Sequence, residues 1–193
     1  LQGELEQYSH DKSVPLKPQK VLADLRQVLN PDDILLTDVG AHKVWAARMY
    51  PARSPNSVII SNGFASMGFA LPGAIAAKLV YPERRVVALC GDGGFLMSSH
   101  ELETAKRLGL AFVVVIWVDN SYGLIEWKQM NAFGRSYGVK FTNPDFAALA
   151  KAYGLPGFKI QNADDFQDTL RQALTLKVPS IIEVPIDYSE NLR

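Results

Sequence analysis

Apolar residues along this chain follow two alternating rhythms. Short uninterrupted runs occur at Ile34-Leu-Leu-Thr37, Val58-Ile-Ile-Ser61, Val86–Cys90, Phe112–Val118, Phe158–Ile160 and Ser180–Val184, and each reads as a strand. Strands with no polar alternation belong in a parallel sheet covered on both faces. Between them the apolar positions take helical spacing. Val21, Leu22, Leu25, Val28 and Leu29 follow Pro18; further helices are predicted over 41–50, about Ser66 to Val80, Ser98–Leu108, near 122–130, over 145–153 behind Asn143-Pro-Asp-Phe, and over Asp164–Leu176. The alternation predicts an α/β three-layer sandwich on a six-stranded, mostly parallel sheet. Residues 1–17 are polar, carry Pro15 and lead into Pro18, so they are expected to be a linker or arm before a folded domain over 18–193.

Composition narrows the picture. With 193 residues, 48% of them hydrophobic, the chain has material for one well-buried domain. Its 20 basic and 20 acidic residues balance, which implies neither a nucleic-acid nor a membrane partner. The apolar runs fall short of the ~20 residues of a membrane span. Cys90 is the one cysteine, expected as a buried strand residue; it excludes a disulfide framework and fits the cytoplasm. The opening Leu-Gln-Gly-Glu-Leu-Glu has no initiating Met and no signal pattern, as expected of a piece of a longer chain.

Candidate chemistry gathers where the predicted strands end. Asp38-Val-Gly40-Ala-His42, Ser61-Asn-Gly63, Gly91-Asp92-Gly93-Gly94 and Asp119-Asn120-Ser121 each follow an apolar run. Turn-forming residues are common at such places, but ligands of open parallel sheets also sit beyond the carboxyl ends of the strands. A strand–helix–strand unit would carry Asp92 and Asp119 to one edge. Two carboxylates beside glycines suit magnesium and a diphosphate, with the Gly93 and Gly94 N–H groups available to phosphate oxygens. A dinucleotide site fits worse, because Asp92 stands between the glycines where it would repel a bare pyrophosphate. A serine nucleophile at Ser66 lacks the preceding elbow glycine, Phe64 being there instead. Zinc is not expected, as His10, His42 and His100 are scattered and no thiolate pair exists.

Gly91-Asp92-Gly93, followed after 25 residues (94–118) by Asp119-Asn120, resembles the cofactor signature of thiamine-diphosphate enzymes. Ile60-Ser-Asn-Gly63, Gly91–Leu96, Glu101–Ala105 with Arg107-Leu108, and Val184-Pro-Ile-Asp-Tyr-Ser189 are similar to the acetolactate synthase group, within it the catabolic, FAD-independent type. The resemblance covers nearly all of the chain after the arm. It implies the C-terminal, diphosphate-binding domain of a three-domain enzyme, with the thiamine-diphosphate-binding fold.

The roles that the resemblance implies fall on particular residues. Asp92, the Asp119 side chain and the Ser121 main-chain carbonyl would be magnesium ligands. Most family members have Asn where Asp119 stands, and register with Gly123 and Trp127 selects Asp119 over Asn120. Gly40, Ala41, His42, Gly93 and Gly94 would contact the diphosphate. Met67 would hold the cofactor bent, with main-chain groups of Ala65 and Met67 meeting its pyrimidine; Tyr122 and Gly123 complete the expected cofactor set. Leu124, Ile125 and Trp127 would line the substrate side. The pyruvate decarboxylase branch has a catalytic Glu at the position of Ile125, with Glu126 one place off, which points to carboligation.

By the same resemblance, the full-length enzyme would condense two pyruvates to 2-acetolactate and carbon dioxide, in acetoin or branched-chain amino acid biosynthesis. It would use thiamine diphosphate and Mg2+, with FAD not expected, as a homodimer or homotetramer. The proton-relay Glu would lie on the N-terminal, pyrimidine-binding domain of a partner subunit, so this chain would hold no catalytic residue and be inactive alone. The alternatives are another thiamine-diphosphate enzyme (a 2-oxo acid decarboxylase, a glyoxylate carboligase or an oxidase) and a non-catalytic binding domain.

Overall fold

The computed structural model describes residues 2–190. The apolar runs become strands β1 (Ile34–Thr37), β2 (Val58–Ile60), β3 (Val86–Gly91), β4 (Val113–Val118), β5 (Gly157–Lys159) and β6 (Ser180–Pro185). The helices are α1 (Gln2–Tyr8), α2 (Pro18–Val28), α3 (Ala41–Met49), α4 (Ala70–Val80), α5 (Asp92–Leu96), α6 (Glu101–Arg107), α7 (Gly123–Phe133), α8 (Phe146–Ala152) and α9 (Asp165–Ala173). One six-stranded sheet runs in the order β2-β1-β3-β4-β6-β5. Its strand pairs are all parallel, where the sequence predicted mostly parallel.

The two-residue repeat of a strand explains the sandwich. Val87, Leu89, Val113, Val115 and Trp117 face a core closed by Leu22 and Leu25 of α2, Trp45 and Met49 of α3, and Phe166 and Leu170 of α9. Their neighbours Val86, Ala88, Cys90, Val114 and Ile116 face Leu71 and Ala74 of α4, Leu102 and Ala105 of α6, and Phe146 of α8. Both faces of β3 and β4 are thus buried, as their unbroken apolar sequence requires. Cys90 is fully buried, and burial pushes its thiol well above the ordinary range, so it is a packing residue.

Three local expectations are corrected. Residues 1–17 are not an unfolded arm: 2–8 form α1, and Leu16 is fully buried, pairing in parallel with Ile186. The helix expected from Ser66 begins at Ala70, because Gly68 takes a left-handed φ of 84° and the Asp38 carboxylate binds the main chain there. The helix expected over Ser98–Leu108 is shorter, Glu101–Arg107, and a separate α5 that was not expected starts directly at Asp92 and buries Phe95 edge-on against Phe146, with ring centroids 5.5 Å apart.

Strand order locates the crevice. From β1 the chain moves to β2 on one side and then to β3 on the other, so the connections leaving β1 and β3 diverge at their carboxyl ends. That switch point is where open α/β sheets hold ligands.

Candidate functional site

A cleft opens at this switch point. Its walls are Val39 to His42 after β1, Met67 before α4, Gly91 to Gly94 after β3, Asp119 and Ser121 to Ile125 after β4, and Tyr188 beyond β6. Gly40, Ala41, His42, Met67, Asp92, Gly93, Gly94, Asp119, Ser121, Tyr122, Gly123, Leu124 and Ile125 therefore come together from distant parts of the sequence. Ala65 lies outside the lining, in a left-handed conformation (φ 51°), and Trp127 is exposed on α7. Sequence reasoning missed Tyr188, which sits in a quoted stretch but carries no motif of its own.

Asp92 organises the two acidic loops. It is 1% exposed. One carboxylate oxygen accepts from the Gly93 N–H (2.8 Å); the other accepts from the N–H groups of Asp119 (3.1 Å) and Asn120 (2.8 Å) and from Asn143 Nδ2 (2.8 Å). Asn143 also donates to Asn120 Oδ1 at 2.9 Å, a role that its place before a helix cap did not suggest. Asn120 holds φ 56°, a left-handed conformation that asparagine tolerates, and its own side chain is tied to Asn143. Asp119, by contrast, faces the cleft.

The two carboxylates of the cleft stand close enough for one charge to act on the other. Burial, then the nearby Asp92 charge, raises Asp119 to about 7. A divalent ion beside Asp119 would offset that cost. The Ser121 carbonyl is available beside them. The antiparallel bridge from Ser121 to Lys140 is closed by Tyr122 N–H to Val139 O and Phe141 N–H to Asn120 O, neither of which uses it. No group of three or more His, Cys, Asp or Glu side chains suited to a metal occurs among the described residues, so main-chain and external oxygens would have to complete the shell.

The first turn of α3 closes the opposite wall. The His42 ring is buried, which lowers its pKa to about 3 and keeps it neutral; one ring nitrogen bonds to the Asp38 carbonyl while Nε2 has no partner among the described residues. A Cβ on Gly40 would stand 2.7 Å from this imidazole and one on Gly91 3.0 Å, so both glycines make room for it. Gly93 likewise accommodates the Tyr122 ring (2.6 Å) and Gly94 the Asp38 carboxylate (3.1 Å). The glycines thus serve internal packing as well as any close approach of a ligand.

Two buried or half-buried acids brace the loops from behind. Asp38, fully buried, accepts from Val39 N–H (2.6 Å) and Gly68 N–H (2.9 Å) and from the N–H groups of Phe69 and Ala70, fixing the segment that carries Met67. Glu126 accepts from Ser121 Oγ (2.9 Å) and Lys140 Nζ (2.7 Å). These bonds turn it away from the cleft, and the lysine holds its carboxyl below the usual range.

Fold and cleft define a parallel α/β domain with a crevice at its switch point, and comparison with known proteins gives its family. The chain matches the thiamine pyrophosphate enzyme family, C-terminal TPP binding domain, over residues 38–184, and it belongs to that family. It is 36% identical over 198 residues to an acetolactate synthase of Bacillus subtilis, covering 98% of this chain and 35% of that protein. It is 40% identical over 176 residues to the catabolic acetolactate synthase of Raoultella terrigena (91% and 32%). A probable acetolactate synthase large subunit of Methanocaldococcus jannaschii is 34% identical (92% and 32%). The chain spans about a third of the length of these relatives. No helix among the described residues is long and apolar enough to cross a membrane.

Proposed function

We propose that this chain supplies the diphosphate and magnesium half of the active site of a thiamine-diphosphate-dependent carboligase, which condenses two pyruvates to 2-acetolactate and carbon dioxide. The observation that carries the reading is the pairing of Asp92 and Asp119 at the switch point, facing the α3 N-terminus across one cleft. Asp92, Asp119 and the Ser121 carbonyl would hold Mg2+. The N–H groups of Gly40, Ala41 and Gly94 suit phosphate oxygens, while the Gly93 N–H is already committed to Asp92. Bound there, thiamine diphosphate supplies the carbanion chemistry that removes carbon dioxide from a 2-oxo acid and forms the new carbon–carbon bond.

The chain's own residues position and shield. Met67, Leu124 and Ile125 give the cleft an apolar side where a keto acid would meet the cofactor. With Ile125 in the cleft and Glu126 bonded to Ser121 and Lys140, no acid stands at the place where the decarboxylase branch needs one, which favours carboligation. The acids of the cleft are Asp92 and Asp119, both assigned to the metal, so the proton relay would come from the pyrimidine-binding domain of a partner subunit. The isolated chain would then be inactive, in a cytoplasmic homodimer or homotetramer when complete. The test is the full-length enzyme with pyruvate as sole substrate, thiamine diphosphate and Mg2+. Acetolactate that disappears with a chelator is expected; pyruvate turned over only to acetaldehyde or an oxidised product would refute the assignment.

A further inference from the structure

We propose that Tyr188 donates a hydrogen bond to the cofactor's diphosphate, and that the N-terminal segment around Lys17 holds it in position to do so. The inference rests on the reading of the cleft given above. Tyr188 reaches the cleft from beyond β6, opposite the loops that leave β3 and β4. Its phenolic oxygen lies beside the main-chain N–H of His42, in the first turn of α3. A phenol carries one donor besides its acceptor sites, and among the described residues nothing accepts the Tyr188 O–H. The N–H groups of a helix start form its positive end, so a hydroxyl polarised by one of them is a strengthened donor. Placed beside the α3 terminus, the Tyr188 hydroxyl extends its donor set one side chain further into the cleft.

The placement is built rather than incidental. The Tyr188 ring is tilted on Trp117 with centroids 6.0 Å apart, which fixes its direction. Both neighbours are tied down. Leu16 N–H donates to the Pro185 carbonyl (2.8 Å) and Asp187 N–H to the Leu16 carbonyl (2.9 Å). Lys17 Nζ meets Asp187 Oδ2 at 2.7 Å, and Ser189 N–H donates to Asp187 Oδ1 at 2.8 Å. The segment that reads as a linker is thus a clasp on the strap that carries Tyr188.

The test uses the full-length enzyme, titrated with thiamine diphosphate at fixed Mg2+ by calorimetry and by half-saturation of activity. Tyr188→Phe keeps the ring on Trp117 and removes only the hydroxyl. It should weaken cofactor binding roughly ten- to a hundredfold, the span of a hydrogen bond to a charged group. The melting temperature of the cofactor-free protein should fall less than that of the cofactor-loaded protein. Lys17→Ala should weaken binding in the same direction by less, and the double variant should bind no worse than Tyr188→Phe. Unchanged affinity in Tyr188→Phe, or a cofactor-free melting temperature that falls as far as that of the loaded protein, would overturn the donor role; strictly additive losses would overturn the clasp. An unmodified enzyme that binds no thiamine diphosphate would refute the reading of the cleft, and this inference with it.

Discussion

Replacing Asp119 by Asn should stabilise the metal-free protein and weaken the metal site, two effects of opposite sign from one atom. In the folded chain burial and the Asp92 charge raise Asp119 from 3.8 to about 7. Between those values the folded state holds a proton that the unfolded state has released. Stability therefore falls as pH rises through that window, and the loss is complete above about 7. At about 1.4 kcal/mol per pKa unit the ceiling is about 4 kcal/mol. The side chain is partly exposed, and solvent screening brings the effect to about 2–3 kcal/mol. Asparagine keeps the acceptor for the Ser121 N–H and removes the titrating charge.

The assay is urea unfolding of the 193-residue chain in chelator from pH 4 to pH 8, wild type against Asp119→Asn. The variant should be more stable at pH 8 by about 2–3 kcal/mol, with the gap shrinking towards pH 4 as the folded wild-type carboxyl holds its proton and the unfolded one begins to take it up. In the full-length enzyme the same change should weaken Mg2+ binding about tenfold, since one formal charge leaves the coordination shell. A stability gap independent of pH, or a wild type that is the more stable protein at pH 8, would refute the account of Asp119 as a strained carboxylate awaiting a cation.

Asp92→Ala should destabilise the fold by about 3–5 kcal/mol even without metal, because it strands three main-chain N–H groups and the Asn143 amide; the urea midpoint reads this. Asp38→Ala should cost about 2–4 kcal/mol and speed amide hydrogen exchange at Gly68, Phe69 and Ala70, with exchange elsewhere in α4 little changed. Glu126→Gln should cost no more than about 1 kcal/mol of stability but lower Mg2+-dependent cofactor affinity severalfold, measured by titration, since the Ser121 loop loses its charged anchor.

The sheet was legible because its signal is composition alone. Runs such as Phe112–Val118 have no polar face, and only strands covered on both sides tolerate that. The cap at Asn143-Pro-Asp-Phe was legible for a similar reason, and Asp145 does accept from Ala148 N–H at 2.7 Å. Boundaries failed where a distant group intervened. Nothing near Ser66 announces that Asp38, in another element, will take the N–H groups of Gly68, Phe69 and Ala70. Leu16 is one apolar residue among polar neighbours, too little periodicity to mark a buried pairing. Asn143 and Tyr188 share this limit: their roles depend on which strand lies beside which, and an order that places β6 between β4 and β5 is not written in any local pattern.

The same cause gives the site its character. Its acids and glycines are read first as chemistry, yet nearly every one is also committed to holding a loop: Asp92 to the turn after β4, Asp38 to the start of α4, Gly93 and Gly94 to the Tyr122 ring and the Asp38 carboxylate. A cleft assembled this way is rigid before any ligand arrives, and its unmet demands are few. They are a raised Asp119 and an uncommitted Tyr188 hydroxyl. The first calls for a cation and the second, across the cleft, suits an anion. A magnesium diphosphate satisfies both at once, whereas either ion alone would leave part of the set unanswered. Binding of Mg2+ and thiamine diphosphate should therefore be mutually strengthening, each lowering the other's dissociation constant by the same factor.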